Sequence, residues 1–108
     1  VQMEMARKRM MSAVPDADVV VTNPTHISIA IKYDPEKTSA PAVIAKGVGP
    51  IAMRIREIAR ENGIPLVEDK PLARTLNKTV EVGQLIPASL YKAVAEILAY
   101  VYKLKNYS

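Results

Sequence analysis

Asn23, Pro24, Thr25 and His26 stand in a row between two apolar runs, Val19-Val20-Val21-Thr22 and Ile27-Ser28-Ile29. An isolated Asn-Pro pair is ordinary turn chemistry, because asparagine tolerates tight backbone conformations and proline fixes φ near the value a turn needs. The same pair also permits a reaction. In the usual deamidation route the next backbone nitrogen attacks the asparagine side chain, and Pro24, which carries no N–H, closes that route. The reverse attack stays open. The Asn23 side-chain nitrogen closes a five-membered ring on its own carbonyl carbon, the bond to Pro24 breaks, and a C-terminal succinimide remains. The chain is then cut without a protease. An amide nitrogen is a weak nucleophile, so the bond must be held in a near-attack geometry, with a donor for the developing oxyanion and a group that moves protons. Thr25 offers a backbone N–H and a hydroxyl as donors. His26, the only histidine of the chain, carries the side chain suited to moving protons near neutral pH.

The size of the task is bounded. A bond that lasts months unassisted and minutes when it cuts itself needs four to five powers of ten in rate, roughly 6 kcal/mol off the barrier. Alignment and one or two hydrogen bonds cover that, and neither a metal nor a separate nucleophile is required.

The elements that must position these residues are strands. Residues 17–22 predict a buried strand, continuous in valine and flanked by turn signals. Residues 27–33 predict a half-buried one, with Ile27, Ile29 and Ile31 alternating with Ser28, Ala30 and Lys32. The four residues between them then form a tight connection. Proline disfavours the α conformation at Asn23, and strands gripping both sides hold the turn in a reactive shape. The same pairing keeps the two pieces together after a cut.

Beyond a polar loop at 34–41, residues 42–46 predict a third strand. Lys46-Gly47-Val48-Gly49-Pro50 lacks the Gly-Lys-Ser/Thr ending of a phosphate loop and reads as a strand-to-helix turn, with Pro50 suited to the first helical position. Residues 51–61 predict a helix with Ile51, Ala52, Ile55, Ile58 and Ala59 on its apolar face. Asn62-Gly63 ends it and Pro65 prevents its continuation. Residues 64–68 predict a fourth strand. Residues 71–78 predict a short helix, started by its proline, with Leu72, Ala73 and Leu76 inward. Residues 87–105 predict the last helix, with Leu90, Val94, Ile97, Leu98, Val101 and Leu104 as its stripe. At the other end, residues 1–13 predict a helix with Met3, Met10 and Ala6 on one side, ended by Val14-Pro15-Asp16. The expected class is α/β: a small central sheet of about four strands packed with about four helices, preceded by an N-terminal linker helix.

Composition narrows the function classes. A chain of 108 residues with 49% hydrophobic content suffices for one packed core. No cysteine is present, which excludes disulfides and thiolate sites. With one histidine, no convincing triad or metal cluster is visible, so neither a metal nor a cofactor is expected. No run approaches membrane-spanning length and no signal peptide is visible. The chain begins at Val1 in mid-helix pattern without an initiator methionine, and reads as a fragment. Fifteen basic against eleven acidic residues give a net charge of +4, a weak bias without the dense basic run or stacking platform of nucleic-acid modules. Four of the five tyrosines fall in the last helix or its tail. Arg7, Lys8 and Arg9 leave two readings of the first helix open: a loosely docked linker, or a piece lying beside anionic headgroups.

Taken in order, Asn23-Pro24-Thr25-His26, Lys46-Gly47-x-Gly49, Ile55-Arg56-Glu57-Ile58-Ala59, Gly63-Ile64-Pro65, Pro71-Leu72-Ala73-Arg74 and the helix from Ile86-Pro87 to Leu98 resemble the cytoplasmic domain of the FlhB/YscU family. These are the export-apparatus switch proteins of bacterial flagella and of virulence type III secretion systems. Thr22 before the motif and Ser39-Ala40-Pro41 after it look closer to the flagellar branch. The resemblance implies an inner-membrane protein whose membrane part lies upstream, residues 1–15 as the linker helix, and residues 16–108 as a self-cleaving domain on the cytoplasmic side. It implies a cut between Asn23 and Pro24, with Asn23 as nucleophile, Pro24 as leaving group and Thr25 and His26 assisting. Cleavage would permit export to switch from rod and hook subunits to filament subunits. The implied partners are other export-gate membrane proteins, a hook-length control protein and the export substrates, the last touching the Ala40-Pro41 edge. The readings that compete are the equivalent switch of a virulence secretion system, an interaction module whose Asn-Pro turn never reacts, and a small nucleic-acid-binding domain.

Overall fold

A computed structural model describes residues 2–24 and 26–106, with side chains from Met5 onward. The two apolar runs that flank the Asn-Pro motif form β1 (Val19–Asn23) and β2 (Ile27–Lys32), paired antiparallel with Asn23 opposite Ile27 and Thr22 opposite Ser28. β3 (Ala42–Val48) pairs antiparallel with β2, and β4 (Leu66–Glu68) pairs parallel with β1, giving the order β3-β2-β1-β4. β1 is thus an interior strand, which explains its unbroken valines: Val19, Val20 and Val21 are all fully buried.

Helices cover both faces of the sheet. The first, α1 (Gln2–Ala13), runs into a 3₁₀ turn at Val14–Asp16; α2 (Pro50–Glu61) follows β3, α3 (Lys70–Thr79) follows β4, and α4 (Tyr91–Asn106) follows a 3₁₀ turn at Ala88–Leu90. On one face Val19, Val21, Ile29, Ile31 and Val43 pack against Leu72, Ala73 and Leu76 of α3 and Val94, Ile97, Leu98 and Val101 of α4. On the other, Val20, Ala30 and Ala45 pack against Val14 and against Ile55, Ile58 and Ala59 of α2. The expected α/β class, with about four strands and four helices, is the class observed.

Several expectations change in detail. β1 runs 19–23 rather than 17–22, and β3 continues through Lys46, Gly47 and Val48, read as part of a turn, so that only Gly49 stands between it and α2. β2 is not half-buried: Ser28 and Ala30, read as its wet face, are as buried as its isoleucines because α2 covers them. β4 starts at Leu66, since the Ile64 N–H closes the end of α2 by donating to the Ala59 carbonyl at 2.8 Å, past Gly63 at φ +69, a six-to-one helix ending that leaves Ile64 no strand role. α3 starts one residue before its proline because the Asp69 side chain caps it, accepting from Leu72 N–H at 3.1 Å. At the chain ends, Leu104 is 47% exposed in the last turn of α4, and α1 turns Met10 and Met11 toward the core while Ala6 is exposed; the Met3 side chain lies outside the described residues. Among the described residues no helix is long and apolar enough to cross a membrane.

Candidate self-cleavage site

Asn23 is the last residue of β1, and the chain has reversed direction by Ile27, which opens β2 antiparallel to it. The His26 N–H donates to the Asn23 carbonyl at 2.9 Å, closing a four-residue β-turn. That carbonyl is the one whose carbon the Asn23 amide would attack in the cyclisation expected from the residues. Its oxygen therefore already faces a donor before any charge develops on it, which is the arrangement an oxyanion needs. The sequence assigned such a donor to Thr25, which lies outside the described residues. The donor observed is the backbone of His26, whose side chain is exposed, while Asn23 and Pro24 are half-buried.

Both shoulders of the turn are fixed. Upstream, the Thr22 carbonyl accepts the Asp69 N–H at 2.9 Å, tying the end of β1 to the first turn of α3. Downstream, the His26 carbonyl accepts the Gly49 N–H at 3.0 Å, tying the start of β2 to the first turn of α2. Gly49 has φ +58 and ψ −128, a conformation open to glycine and strained for other residues. No atom lies within 4 Å of where its Cβ would stand, so the effect of a side chain there is conformational rather than steric. Gly49→Ala is expected to lose about 1–3 kcal/mol of stability and to slow the cut by weakening this latch, both readable from urea melts and a cleavage time course. A wild-type melt and rate would show that the latch does not need glycine.

The Ala40-Pro41 edge lies elsewhere. Ala40 is only 2% exposed and Pro41 half-buried, and they line an apolar groove of about 330 Å³ with Tyr33, Tyr91, Leu98 and Tyr102. Tyr33 follows the far end of β2, so the groove and the turn are separated by the length of that strand, ~20 Å for six residues. Burial, aided by the Asp18 carboxylate, raises the Tyr102 phenol above its usual value.

Sequence reasoning passed over Gly49, Asp69 and Ser28 as parts of this site. A carboxylate two residues before a proline at a helix start is a legible capping signal; the backbone role of His26 had no signal before the turn was formed.

An α/β domain with an Asn-Pro hairpin between two interior strands defines its class through its relatives, and the chain belongs to the FlhB HrpN YscU SpaS family, which it matches over residues 1–101. It is 56% identical over 105 residues to the flagellar biosynthetic protein FlhB of Bacillus subtilis, covering 97% of this chain and 29% of that protein. Against FlhB of Aquifex aeolicus it is 59% identical over 98 residues, covering 91% of this chain and 28% of that protein. The chain thus spans less than a third of the length of the curated relatives it matches. Among solved structures, the cytoplasmic domain of FlhB from Shewanella putrefaciens superposes with a TM-score of 0.90 at 50% identity, over 94% of this chain and 78% of that one. The C-terminal domain of a mutated EscU superposes at 0.82 with 34% identity, over 85% and 92%.

Proposed function

We propose that this domain is the self-cleaving cytoplasmic part of a flagellar protein-export component. The observation that carries the reading is the His26 N–H on the Asn23 carbonyl, in a turn latched to two helices. Attack by Asn23 Nδ2 forms the bond to the carbonyl carbon, the oxyanion forms against the His26 N–H, and the tetrahedral centre collapses with rupture of the bond to Pro24. The proton lost by Nδ2 ends on the Pro24 nitrogen, which leaves as a secondary amine, with His26 and solvent available to carry it. The succinimide left on Asn23 is then opened by water.

Residues 1–15 are the linker from a membrane part and residues 16–108 the cleaving domain. The cut permits the apparatus to switch from rod and hook subunits to filament subunits. Its partners are neighbouring export-gate membrane proteins, a hook-length control protein and the substrates themselves, whose apolar segments suit the groove at Ala40 and Pro41. The likeness to flagellar proteins, 56–59% identity against 34% for EscU, supports the flagellar assignment over the virulence one. The test replaces the corresponding domain of a flagellated bacterium's own protein. Cells with the wild-type domain are expected to export hook and then filament subunits, and those with Asn23→Ala hook subunits alone; filament export by both would contradict the switch.

The cut pieces are expected to remain one particle, because residues 1–23 contribute an interior strand whose valines are fully buried. The cleaved protein should elute as a single native peak containing both fragments and separate only in denaturant. Separation in plain buffer would show that β1 is held by the chain rather than by the sheet.

A further inference from the structure

β2 buries Ser28 completely just after it leaves the turn. A hydroxyl at that depth is destabilising unless bonded. Ser28 Oγ donates to the Ala52 carbonyl of α2 at 2.9 Å and accepts a longer contact, 3.4 Å, from Arg56 Nη1. Arg56 is half-buried, and among the described residues its guanidinium has no carboxylate within ion-pair distance; a sheltered cation is ordinarily paired with an anion. Across β2 and β3, Ser28 faces Gly47, where a Cβ would collide with the Ile51 side chain. α2 therefore sits directly on the sheet at this point.

We propose that Ser28 is a positioning residue for the cut, pinning the start of β2 to α2 and, through it, the His26 N–H to the scissile carbonyl; the inference rests on the self-cleavage reading. Two bonds carry the start of β2 onto one rigid helix: Gly49 N–H to the His26 carbonyl, and the Ser28 hydroxyl to the Ala52 carbonyl. Arg56 holds that hydroxyl by its second lone pair and orients its hydrogen toward Ala52. A reacting group displaced by 1 Å loses on the order of 10²-fold in rate, so loosening one of two latches is expected to slow the cut about tenfold.

The test follows cleavage over time in freshly translated full chains quenched in detergent. Ser28→Ala is expected to be cut about tenfold more slowly, and Arg56→Met more slowly as well. The double variant should be no slower than Ser28→Ala, because Arg56 acts through that hydroxyl. Val101→Ala, which hollows the core under α4 on the opposite face of the sheet, is the control for stability alone: it is expected to lower the melting temperature and leave the rate unchanged. Equal rates for wild type and Ser28→Ala, multiplied losses in the double variant, or a rate that follows the melting temperature in Val101→Ala would each overturn the inference. A wild-type chain that stays whole would overturn the self-cleavage reading and this inference with it.

Discussion

Asn23→Ala is expected to remain a single chain indefinitely, with its fold intact. The substitution removes the only nitrogen that can close a five-membered ring on this carbonyl, so the loss is the whole catalysed gain of four to five powers of ten, back to the background of an ordinary peptide bond. Little else changes. The His26 N–H still finds a carbonyl at position 23, the Thr22 and His26 carbonyls keep their donors from Asp69 and Gly49, and Asn23 contributes no buried side-chain bond among the described residues. Electrophoresis under denaturing conditions beside a thermal melt reads both halves of the expectation. Two fragments from the variant would show that a nucleophile other than Asn23 makes the cut.

The next largest effect is expected from one atom of the backbone. Replacing the amide at His26 by an ester removes the N–H that faces the Asn23 carbonyl and leaves every side chain in place. Loss of one oxyanion donor typically costs 10²–10³-fold in rate, and a decrease of about that size is expected here. His26→Ala keeps the N–H and is expected to slow the cut without stopping it, through loss of the proton-moving imidazole. The pair separates the two roles that His26 combines. An unchanged rate in the ester would move the oxyanion donor to another group, and an unchanged rate in His26→Ala would show that the imidazole moves no essential proton.

Much of this arrangement was legible in the residues because it depends on local pattern. The valine run and the Ile27-Ile29-Ile31 alternation fixed two strands, and only a short turn fits between them, so Asn23 had to stand at a hairpin. The apolar faces of α2 and α3 followed from helical spacing. What stayed hidden depends on which surfaces meet. Alternation assumes one dry and one wet face, and so turned Ser28 outward, whereas α2 covers that side and makes its hydroxyl a buried bond. Ala40 read as part of an exposed edge and lies in the wall of a groove, because α4 comes from the far end of the chain to close it. The donor to the Asn23 carbonyl belongs to a backbone amide, and no side-chain pattern records where a backbone amide points.

Whether the bond between Asn23 and Pro24 breaks by itself is tested most directly by intact-mass spectrometry on freshly purified wild-type protein. The expected result is two species, residues 1–23 and 24–108, the first carrying early in the time course a terminus lighter by one water than the free acid, as a succinimide requires. A single uncut chain after prolonged incubation near neutral pH would contradict it, and would leave the turn as a structural feature of an interaction domain.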